Sequence, residues 1–379
     1  MRRVAPDARH QLALFTTGFE ELAVSPDVRM AIQAGAPVAF SLSGGKDSVS
    51  ISHATAQLLD RLGHPRSRRI AIHADLGRIE WQSTPATVEA AAQLLGVPLI
   101  VVRNKSHDML SKWERRFELG CLRYQDLLTY HLTAPWSSAS NRFCTSEMKT
   151  HVILPELLRQ FPTDRILSVV GIRREESPKR RLTPISKAEA ACYTRKRGAN
   201  ILTWHPGVDV REDEVYAYCE RYGLPLPESY GLGSTRHGCM FCVLASAHDI
   251  VIAARAPGNR GVYLHLVDRE ASSTFSFQQD RWLGDVAPDL LPASLASDFA
   301  RGKMQGAERL RLEASLPANL RYVKGWPQRV PSLDEAAVIL DVRTRIMAMH
   351  GLTSPYATAV QVRDRIAELH DAERLKEAA

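Results

Sequence analysis

Short apolar runs alternate with amphipathic segments in the first half of the chain. "PVAFSLS", "RRIAIHAD" and "VPLIVVRN" predict buried strands, and "DSVSISHATAQLLDRL" and "TPATVEAAAQLLG", which lie between them, have the periodicity of helices. After the less regular stretch 105–140, "DRILSVVGIRREES" again predicts a strand that leads into a charged loop. This alternation is typical of a parallel sheet with crossover helices. We therefore predict an α/β domain with a Rossmann-like parallel sheet and flanking helices.

The pattern becomes mostly helical after about residue 250. "NILTWHPGVDVREDEVYAYCERYGLPLP" still predicts a strand, a turn and a helix that ends at Gly223, whereas "SLDEAAVILDVRTRIMAMHG" and "ATAVQVRDRIAELHDAERLKEAA" have helical periodicity only. The sequence thus predicts three parts: a helical lead-in over 1–36, the α/β domain over 37–248 and a helical C-terminal region over 249–379.

Composition narrows the expected partners and compartment. The 379 residues carry a formal net charge of +7, and the pI is about 9.1. This balance favours nucleic acid or a nucleotide as partner, the alternative being a solvated basic surface. No apolar run has the length of a membrane span, and "MRRVAPDARHQLALF" lacks a signal-peptide core. We therefore expect a cytoplasmic protein without a membrane partner, in which the six cysteines do not form structural disulfides.

The segment "SLSGGKDSVS" follows the first predicted strand. Gly44 and Gly45 permit a tight turn whose N–H groups converge, and they let a phosphate approach the backbone. Lys46 adds a positive charge, and Asp47 and Ser48 can begin the next helix, whose N-terminus also favours an anion. The loop is predicted to bind phosphate, although a tight turn that binds no ligand could contain the same glycines.

The string SGGKDS has neither the Walker A spacing nor the dinucleotide fingerprint. It resembles the PP-loop of the ATP pyrophosphatase superfamily, whose members cleave ATP between its α and β phosphates and adenylate a substrate. Four later segments, in order, resemble the phosphoadenosine phosphosulfate (PAPS) reductase branch: "NRFCTSEMKTHVILPELL", "GIRREESPKRR", "ILTWHPGVDVREDEVYAY" and "GSTRHGCMFCVLA". The resemblance covers about residues 38–246 and implies an adenine nucleotide alpha hydrolase-like fold.

The loop chemistry and the resemblance together give the expected ATP-binding residues. They are Ser41, Ser43, Gly44, Gly45, Lys46, Asp47, Ser48, Asp75, Gly77, Gly171, Arg173, Arg174, Ser177 and Arg181. Asp75 follows a predicted strand at the edge where open α/β sheets bind ligands, but it could also be a turn residue. The arginines of "GIRREESPKRR" suit an oxyanion, or else form a solvated loop.

A smaller set is expected to be catalytic. It comprises Lys46, Asp47, Lys149 and Arg173. Lys149, in "CTSEMK", is expected to face the same region as the arginine loop. His73 is expected to be structural.

The cysteines carry the second part of the resemblance. Iron–sulfur members of the family hold a 4Fe-4S cluster with a cysteine pair in the first of the four segments and a C-x-x-C in the last. Here Cys239 and Cys242 form the C-x-x-C and Cys144 matches one member of the pair, whereas Phe143 replaces the other.

The resemblance therefore accounts for three of four thiolates. Cys192 is the favoured fourth ligand, ahead of Cys121 and Cys219. Alternatively one iron is left open and carries a sulfide, or the thiolates hold zinc instead.

The same features favour sulfur insertion over sulfate reduction. Many sulfonucleotide reductases need a cysteine near the C-terminus, and no cysteine follows Cys242. An intact SGGKDS loop together with the expected cluster resembles sulfur-inserting enzymes, and "RHGCMFC" matches the "R-x-G-C-x-x-C" of DNA phosphorothioation sulfurtransferases.

The resemblance implies an ATP-dependent sulfurtransferase that adenylates a nucleic acid, with DNA favoured over tRNA. The implied cofactors are ATP, Mg²⁺ and a 4Fe-4S cluster, and the implied partners are a cysteine desulfurase and other modification-system proteins. Three alternatives stay open: a sulfonucleotide reductase of sulfate assimilation, a tRNA thiolase, and a catalytically silent nucleotide-binding component of a modification or defence complex.

Overall fold

The computed structural model describes residues 19, 21–189, 200–317, 320 and 326–378. A six-stranded sheet in this part of the chain has the order β3-β2-β1-β4-β6-β5. The strands are β1 (Val38–Ser41), β2 (Arg69–Asp75), β3 (Leu99–Arg103), β4 (Arg165–Val170), β5 (Ser186–Ala188) and β6 (Asn200–Trp204). All neighbours are parallel except β5 and β6. The predicted Rossmann-like parallel sheet is confirmed, and the antiparallel edge strand β5 is an addition that the sequence pattern did not indicate.

Eleven helices of eight residues or more lie in the described ranges. They are α1 (Pro26–Gln33), α2 (Lys46–Arg61), α3 (Thr84–Leu95), α4 (Met109–Gln125), α5 (His151–Gln160), α6 (Glu212–Tyr222), α7 (Ala247–Arg255), α8 (Arg260–Ser273), α9 (Ala293–Ala314), α10 (Leu333–Met349) and α11 (Ala359–Ala378). Single helical turns cover Phe143–Thr145 and Glu228–Gly231, and a π-helical turn covers Ser146–Thr150. None of these helices is long and apolar enough to cross a membrane.

The central strand β1 is buried on both faces. Val38 and Phe40 pack with residues of α1, β4 and β6, whereas Ala39 packs on the other face with residues of α5. Such burial explains why the strand is a continuous apolar run, since successive side chains point to opposite faces. Leu42 continues the ladder by donating its N–H to the Ile72 carbonyl at 2.9 Å. The glycine loop therefore begins at the carboxyl end of a fixed central strand.

Glycines end two of the helices that flank the sheet. Gly96 and Gly223 have φ values of +64° and +58°, and each follows the last residue of its helix, α3 and α6 respectively. The left-handed conformation costs glycine little and lets its N–H bond to a carbonyl of the last turn. The predicted end of a helix at Gly223 is thus confirmed.

The chain divides into two compact units. The sheet unit consists of Met1–Asp108, Arg142–Cys242 and Ala247–Ala253, and the helical unit consists of Met109–Asn141, Val243–Ser246 and Ala254–Ala379. The predicted bounds 1–36, 37–248 and 249–379 stay a prediction about domains. The compact units add that the stretch 109–141, which includes α4, groups with the C-terminal helices.

Aromatic and aliphatic side chains form the core of the helical unit. Tyr124 and Leu127, at and after the end of α4, pack with Ile339 and Ile346 of α10 and with Ile366 of α11. These residues recur at helical spacing on α10, as the pattern "SLDEAAVILDVRTRIMAMHG" predicts. The predicted helical C-terminal region is therefore confirmed.

Candidate functional site

The glycine loop is closed by hydrogen bonds within the sheet unit. Ser48 Oγ accepts the N–H of Ser43 at 3.2 Å and donates to the Gly45 carbonyl at 2.9 Å. Gly44 has a φ of +79°, which glycine adopts without strain. The N–H of Lys46, the first residue of α2, donates to Tyr230 Oη at 3.2 Å. The predicted turn is present, and at least two of its N–H groups have partners within the protein.

Lys46 is buried at the start of α2, with 2% of its surface exposed. Its Nζ lies 2.9 Å from Glu212 Oε1 and 3.7 Å from Asp47 Oδ2, and it faces the rings of Tyr216 and Tyr230 at 5.1 and 5.4 Å. Burial lowers the pKa of Lys46, but Asp47, Tyr230 and Glu212 together outweigh it and raise the pKa. Lys46 therefore keeps its positive charge at neutral pH.

Arg173 brings a second buried cation to the same place, and 3% of its surface is exposed. Its Nε donates to Asp47 Oδ1 at 2.5 Å and its Nη1 to Glu175 Oε2 at 2.8 Å, and its Nη2 lies 3.8 Å from Glu212 Oε1. Burial lowers the pKa of Arg173, but Asp47, Glu176 and Glu212 together outweigh burial and raise the pKa. Three of the four predicted catalytic residues, Lys46, Asp47 and Arg173, therefore lie together.

Gly171 explains how the end of β4 comes so close to α2. A Cβ added at Gly171 would lie 2.8 Å from the Asp47 carbonyl oxygen and from Ser48 Cα. Both of these are backbone atoms, so they cannot rotate away as a flexible side chain could. Gly171 is thus required for close packing, and no bound nucleotide is needed to explain it.

The segment that leads to the C-x-x-C lies against the glycine loop. A Cβ added at Gly45 would meet His237 Cβ at 3.4 Å, and one added at Gly44 would meet His237 Nε2 at 3.4 Å. The imidazole lies 3.2 Å from Thr84 Oγ1 and 3.0 Å from Ser229 Oγ. Burial, followed by the charge of Lys149, lowers the pKa of His237 to about 4. His237 is therefore neutral, and it lies two residues before Cys239.

Three of the predicted cysteine ligands share one neighbourhood. Burial raises the pKa of the Cys239 thiol, and Cys242 and Cys144 raise it further, whereas Lys149 lowers it. The N–H of Met240 donates to the Ile79 carbonyl at 2.9 Å, which fixes the turn between Cys239 and Cys242. The fourth predicted ligand, Cys192, lies outside the described residues.

Thiol donors fit an iron–sulfur cluster or zinc in chemical type. Within the described ranges, however, no three His, Cys, Asp or Glu side chains are grouped so that they could hold a metal ion. The three thiols therefore influence one another electrostatically without forming a ligand set in this structure. The predicted cluster stays a prediction.

A comparison with protein families shows to which family the chain belongs. The model of the phosphoadenosine phosphosulfate reductase domain matches residues 37–245, which is more than half of the chain. The chain belongs to the PAPS reductase family. The family relationship predicted from the ordered motifs is confirmed, whereas the closer likeness to DNA phosphorothioation sulfurtransferases stays a prediction.

Individual proteins resemble the chain more distantly. A 37.8 kDa protein from the gpa 5′ region of Escherichia phage 186 is 28% identical over 126 residues, which are 32% of this chain and 35% of the phage protein. The match thus spans about a third of that relative.

Solved structures that the chain resembles at a low level include PAPS reductase from Candida auris, with 17% identity, a TM-score of 0.35 and coverage of 63% of this chain and 98% of that one. Another is the U34-tRNA thiolase NcsA from Methanococcus maripaludis with its [4Fe-4S] cluster, with 15% identity, a TM-score of 0.38 and coverage of 75% and 80%. FMN adenylyltransferase from Candida glabrata matches with 14% identity, a TM-score of 0.35 and coverage of 63% and 67%.

Asp75 and Gly77 of this PAPS reductase family member form a turn at the end of β2. Asp75 Oδ1 accepts the N–H of Gly77 at 2.7 Å, and its Oδ2 lies 3.4 Å from Arg103 Nη2. Gly77 has a φ of +73°, and an added Cβ would meet Asp108 Cβ at 2.5 Å. The turn role that the sequence left open for Asp75 is thus present. Asp75 also lines a cavity of about 800 Å³ between α3 and β3.

The remaining arginine-loop residues have contacts that differ from those of Arg173. Arg174 donates to Asp209 Oδ1 at 2.5 Å and to the Thr183 carbonyl at 3.0 Å. Ser177 precedes the 3₁₀ turn Pro178–Arg180, and Arg181, which follows that turn, is exposed. The loop therefore places Arg173 at the glycine loop and pairs Arg174 with a different carboxylate.

Two cysteines that were alternatives for the fourth ligand are buried, Cys219 fully and Cys121 in part. Cys219 is buried on α6 among Val49, Val215 and other apolar side chains, and burial raises its pKa to about 12. Cys121 lies on α4 in the helical unit, where burial raises its pKa to about 11. Phe143 is buried in the position where the family pattern has a thiolate. Burial keeps both thiols protonated, which disfavours metal binding.

Sequence reasoning missed four residues that contact the glycine loop or Lys46. They are Glu212, Tyr216, Tyr230 and His237. All four lie within the motifs "ILTWHPGVDVREDEVYAY" and "GSTRHGCMFC" or between them. Their order relative to SGGKDS was the available signal, because family motifs that recur together commonly meet at one site.

Proposed function

We propose that the chain is an ATP-dependent sulfurtransferase that acts on nucleic acid, with DNA phosphorothioate modification as the favoured reaction. The observation that carries the proposal is the contact between the glycine loop and the segment of the C-x-x-C. His237 lies against Gly44 and Gly45, and Cys239 follows it by two residues. A phosphate-binding loop suits activation by ATP and thiols suit sulfur handling, so their adjacency supports a single site for both steps.

In the first step an oxygen of the acceptor attacks the α-phosphorus of magnesium-bound ATP. The bond between the α-phosphorus and the bridging oxygen breaks, pyrophosphate leaves with the electron pair, and the acceptor carries AMP. Lys46 and Arg173 are the buried cations that would stabilise the charge developing on pyrophosphate. Asp47 orients Arg173 through its 2.5 Å hydrogen bond.

In the second step hydrosulfide attacks the activated phosphorus of the acceptor, and AMP leaves with the former acceptor oxygen. Oxygen is thus exchanged for sulfur without a change of oxidation state at the acceptor. A cysteine desulfurase, whose persulfide a thiol reductant cleaves, is the proposed source of hydrosulfide. Cys144, Cys239 and Cys242 would hold a 4Fe-4S cluster, or zinc, and such a cluster would supply an iron that binds sulfide. Lys149 would offset the negative charge of the thiolates, as its effect on Cys239 indicates.

A second candidate is sulfonucleotide reduction, which membership of the PAPS reductase family supports. It requires a nucleophile for the sulfur of an activated sulfate. Residues 243–379 contain no cysteine, so within these 379 residues the nucleophile would have to be one of the six cysteines at or before Cys242. We rank it second for that reason.

The products distinguish the two candidates. The chain, purified without oxygen, is incubated with magnesium and ATP, a hydrosulfide source, and either duplex DNA or tRNA, and phosphorus NMR and mass spectrometry identify the products. We expect AMP, pyrophosphate and a phosphorothioate dinucleotide, all of which require Lys46. A thionucleoside among the products would identify tRNA, rather than DNA, as the acceptor. Sulfite released from PAPS with thioredoxin, in the absence of AMP formation from ATP, would overturn the proposal in favour of the reductase.

A further inference from the structure

Glu212 faces both cations of the candidate phosphate site. Its Oε1 lies 2.9 Å from Lys46 Nζ and 3.8 Å from Arg173 Nη2. Its N–H, at the first residue of α6, donates to Glu175 Oε2 at 2.8 Å, and Glu175 in turn accepts a hydrogen bond from Arg173. One carboxylate oxygen therefore lies where the two positive charges converge.

The contacts around Lys46 and Arg173 contain more negative than positive charge. Asp47, Glu175 and Glu212 supply three carboxylates for these two cations. A polyphosphate without a metal ion would therefore approach cations that are already neutralised and a site with net negative charge. Magnesium, which binds phosphate oxygens readily, reduces the charge of the incoming ligand.

Glu212 is the carboxylate that can leave these cations with the least disturbance. Half of its side chain is exposed, 50%, compared with 20% for Asp47, whose Oδ1 accepts the 2.5 Å hydrogen bond from Arg173. Glu175 accepts two hydrogen bonds, one of them from the backbone of α6. When Glu212 turns towards solvent, Lys46 still has Asp47 at 3.7 Å.

We propose that Glu212 is a specificity-determining residue that competes with phosphate for Lys46 and Arg173. Because of this competition the site binds a magnesium-complexed polyphosphate in preference to the free anion. The inference rests on the proposed function, since it takes the glycine loop to be the phosphate site. It adds a role for a residue that neither the glycine loop nor the cysteine motif contains.

Calorimetric titration of inorganic pyrophosphate and of ATP, in EDTA and in excess magnesium, tests the competition. Glu212→Gln removes the charge and keeps the size of the side chain. We expect it to bind metal-free pyrophosphate about tenfold more tightly than the native chain, because a partly exposed like charge near the ligand is removed. In magnesium the difference should fall to about threefold or less, since the ligand then carries less charge.

Asp213→Asn is the matched control. Asp213 lies in the same first turn of α6, and its carboxylate pairs with Arg211 at 3.1 Å. The substitution changes the net charge and the helix-terminal charge as Glu212→Gln does, but it leaves Glu212 in place beside Lys46. Pyrophosphate affinity should therefore stay within about twofold of the native value. If Glu212→Gln does not fold, Glu212→Asp is the second variant. It keeps the charge but shortens the side chain, which moves the carboxylate away from Lys46 and should strengthen pyrophosphate binding a few-fold.

The outcomes separate the inference from the proposed function. Equal or weaker binding of free pyrophosphate by Glu212→Gln, while the native chain binds magnesium and ATP, overturns the inference and leaves the proposed function in place. An equal gain in pyrophosphate affinity in Asp213→Asn also overturns the inference, because the change in net charge would then explain the effect. If the native chain binds neither pyrophosphate nor ATP in magnesium, both the proposed function and the inference fail.

Discussion

Glu212 of the sheet unit and Glu270 of the helical unit are both held by several donors, but by donors of different kinds. Glu270 is fully buried, and its carboxylate accepts the N–H groups of Phe277, Leu283 and Gly284 at 2.6, 2.7 and 3.0 Å. Glu212 is half exposed and faces the side chains of Lys46 and Arg173. Backbone donors can be released only by undoing the loop, whereas side-chain cations can exchange one anion for another.

Arg343 and Arg309, two buried arginines of the helical unit, differ from Arg173 of the sheet unit in a related way. In the helical unit, Arg343 donates to the carbonyls of Tyr124 and Thr129, and burial lowers its pKa to about 10. Arg309, whose partner is Glu313 at 2.7 Å, also has a lowered pKa, because burial outweighs its carboxylate. The pKa of Arg173 is raised. Arg343 and Arg309 thus have structural partners, whereas Lys46 and Arg173 share the half-exposed carboxylate of Glu212.

The largest expected effect is on the stability of the helical unit. Glu270→Ala leaves three buried N–H groups without their acceptor, and we expect it to lower the free energy of unfolding by at least about 3 kcal/mol. Urea denaturation followed by circular dichroism measures the loss. Glu308→Ala on α9, where the partly exposed Glu308 pairs with Arg311 and Arg345, is the control and should have no measurable effect. Equal stability of the two variants would show that Glu270 is not structural.

Stability should also depend on pH through Glu270. Burial raises the pKa of Glu270 to about 7, although its three N–H donors lower it. Because the folded pKa lies above the ordinary value near 4.5, the contribution is fully present below pH 4.5 and is lost as the pH rises through 7. The loss between these limits should be about 3 kcal/mol. Glu270→Gln should remove this part of the pH dependence, and an unchanged slope in that variant would assign the dependence to another group.

A packing substitution in the sheet unit should affect both stability and binding. Gly171→Ala brings a Cβ to 2.8 Å from backbone atoms of Asp47 and Ser48, and we expect a destabilisation of about 1–3 kcal/mol. Pyrophosphate binding should weaken about tenfold, since Arg173 and the glycine loop move apart. Gly231→Ala, where no atom lies within 4 Å of the added Cβ, serves as the control. Unchanged pyrophosphate affinity in Gly171→Ala would show that the close packing at Gly171 is not needed for phosphate binding.

The smallest effect concerns Tyr230, whose hydroxyl accepts the N–H groups of Lys46 and His237, each at 3.2 Å. Tyr230→Phe removes that acceptor and should weaken pyrophosphate binding about threefold, because the loop is ordered less well. Tyr222→Phe, a partly exposed tyrosine at the end of α6, is the comparison and should bind as the native chain does. If the two variants bind equally, the hydroxyl of Tyr230 does not support the loop.

Much of the sheet unit could be predicted because its signals are local. The run before SGGKDS is apolar since β1 is buried on both faces, and Gly223 ends a helix by its own conformation. The helix α4 was not predicted within the less regular stretch 105–140, although its buried residues Met109, Leu110, Trp113 and Tyr124 recur at helical spacing. Asp75 was expected to bind ATP, and the structure adds a local turn that already uses one of its oxygens.

The residues that complete the site could not be predicted because their contacts are long-range. Tyr230 lies 184 residues from Lys46 in sequence, and Glu212 reaches Lys46 from a helix that follows a different strand. A helix that begins with three acids, "EDE", gives no indication that the first carboxylate pairs with a distant lysine while the second pairs locally with Arg211. Only the arrangement of the strands brings these residues together.

The measurement that tests the central claim most directly is calorimetric titration of ATP with magnesium into the intact chain and its Lys46→Met variant. If the glycine loop and Arg173 form the phosphate site, the native chain should bind one ATP, pyrophosphate should displace it, and Lys46→Met should weaken binding at least about tenfold through the loss of a buried charge-assisted contact. Equal ATP affinity in the two proteins, with Lys46→Met folded, would contradict the account.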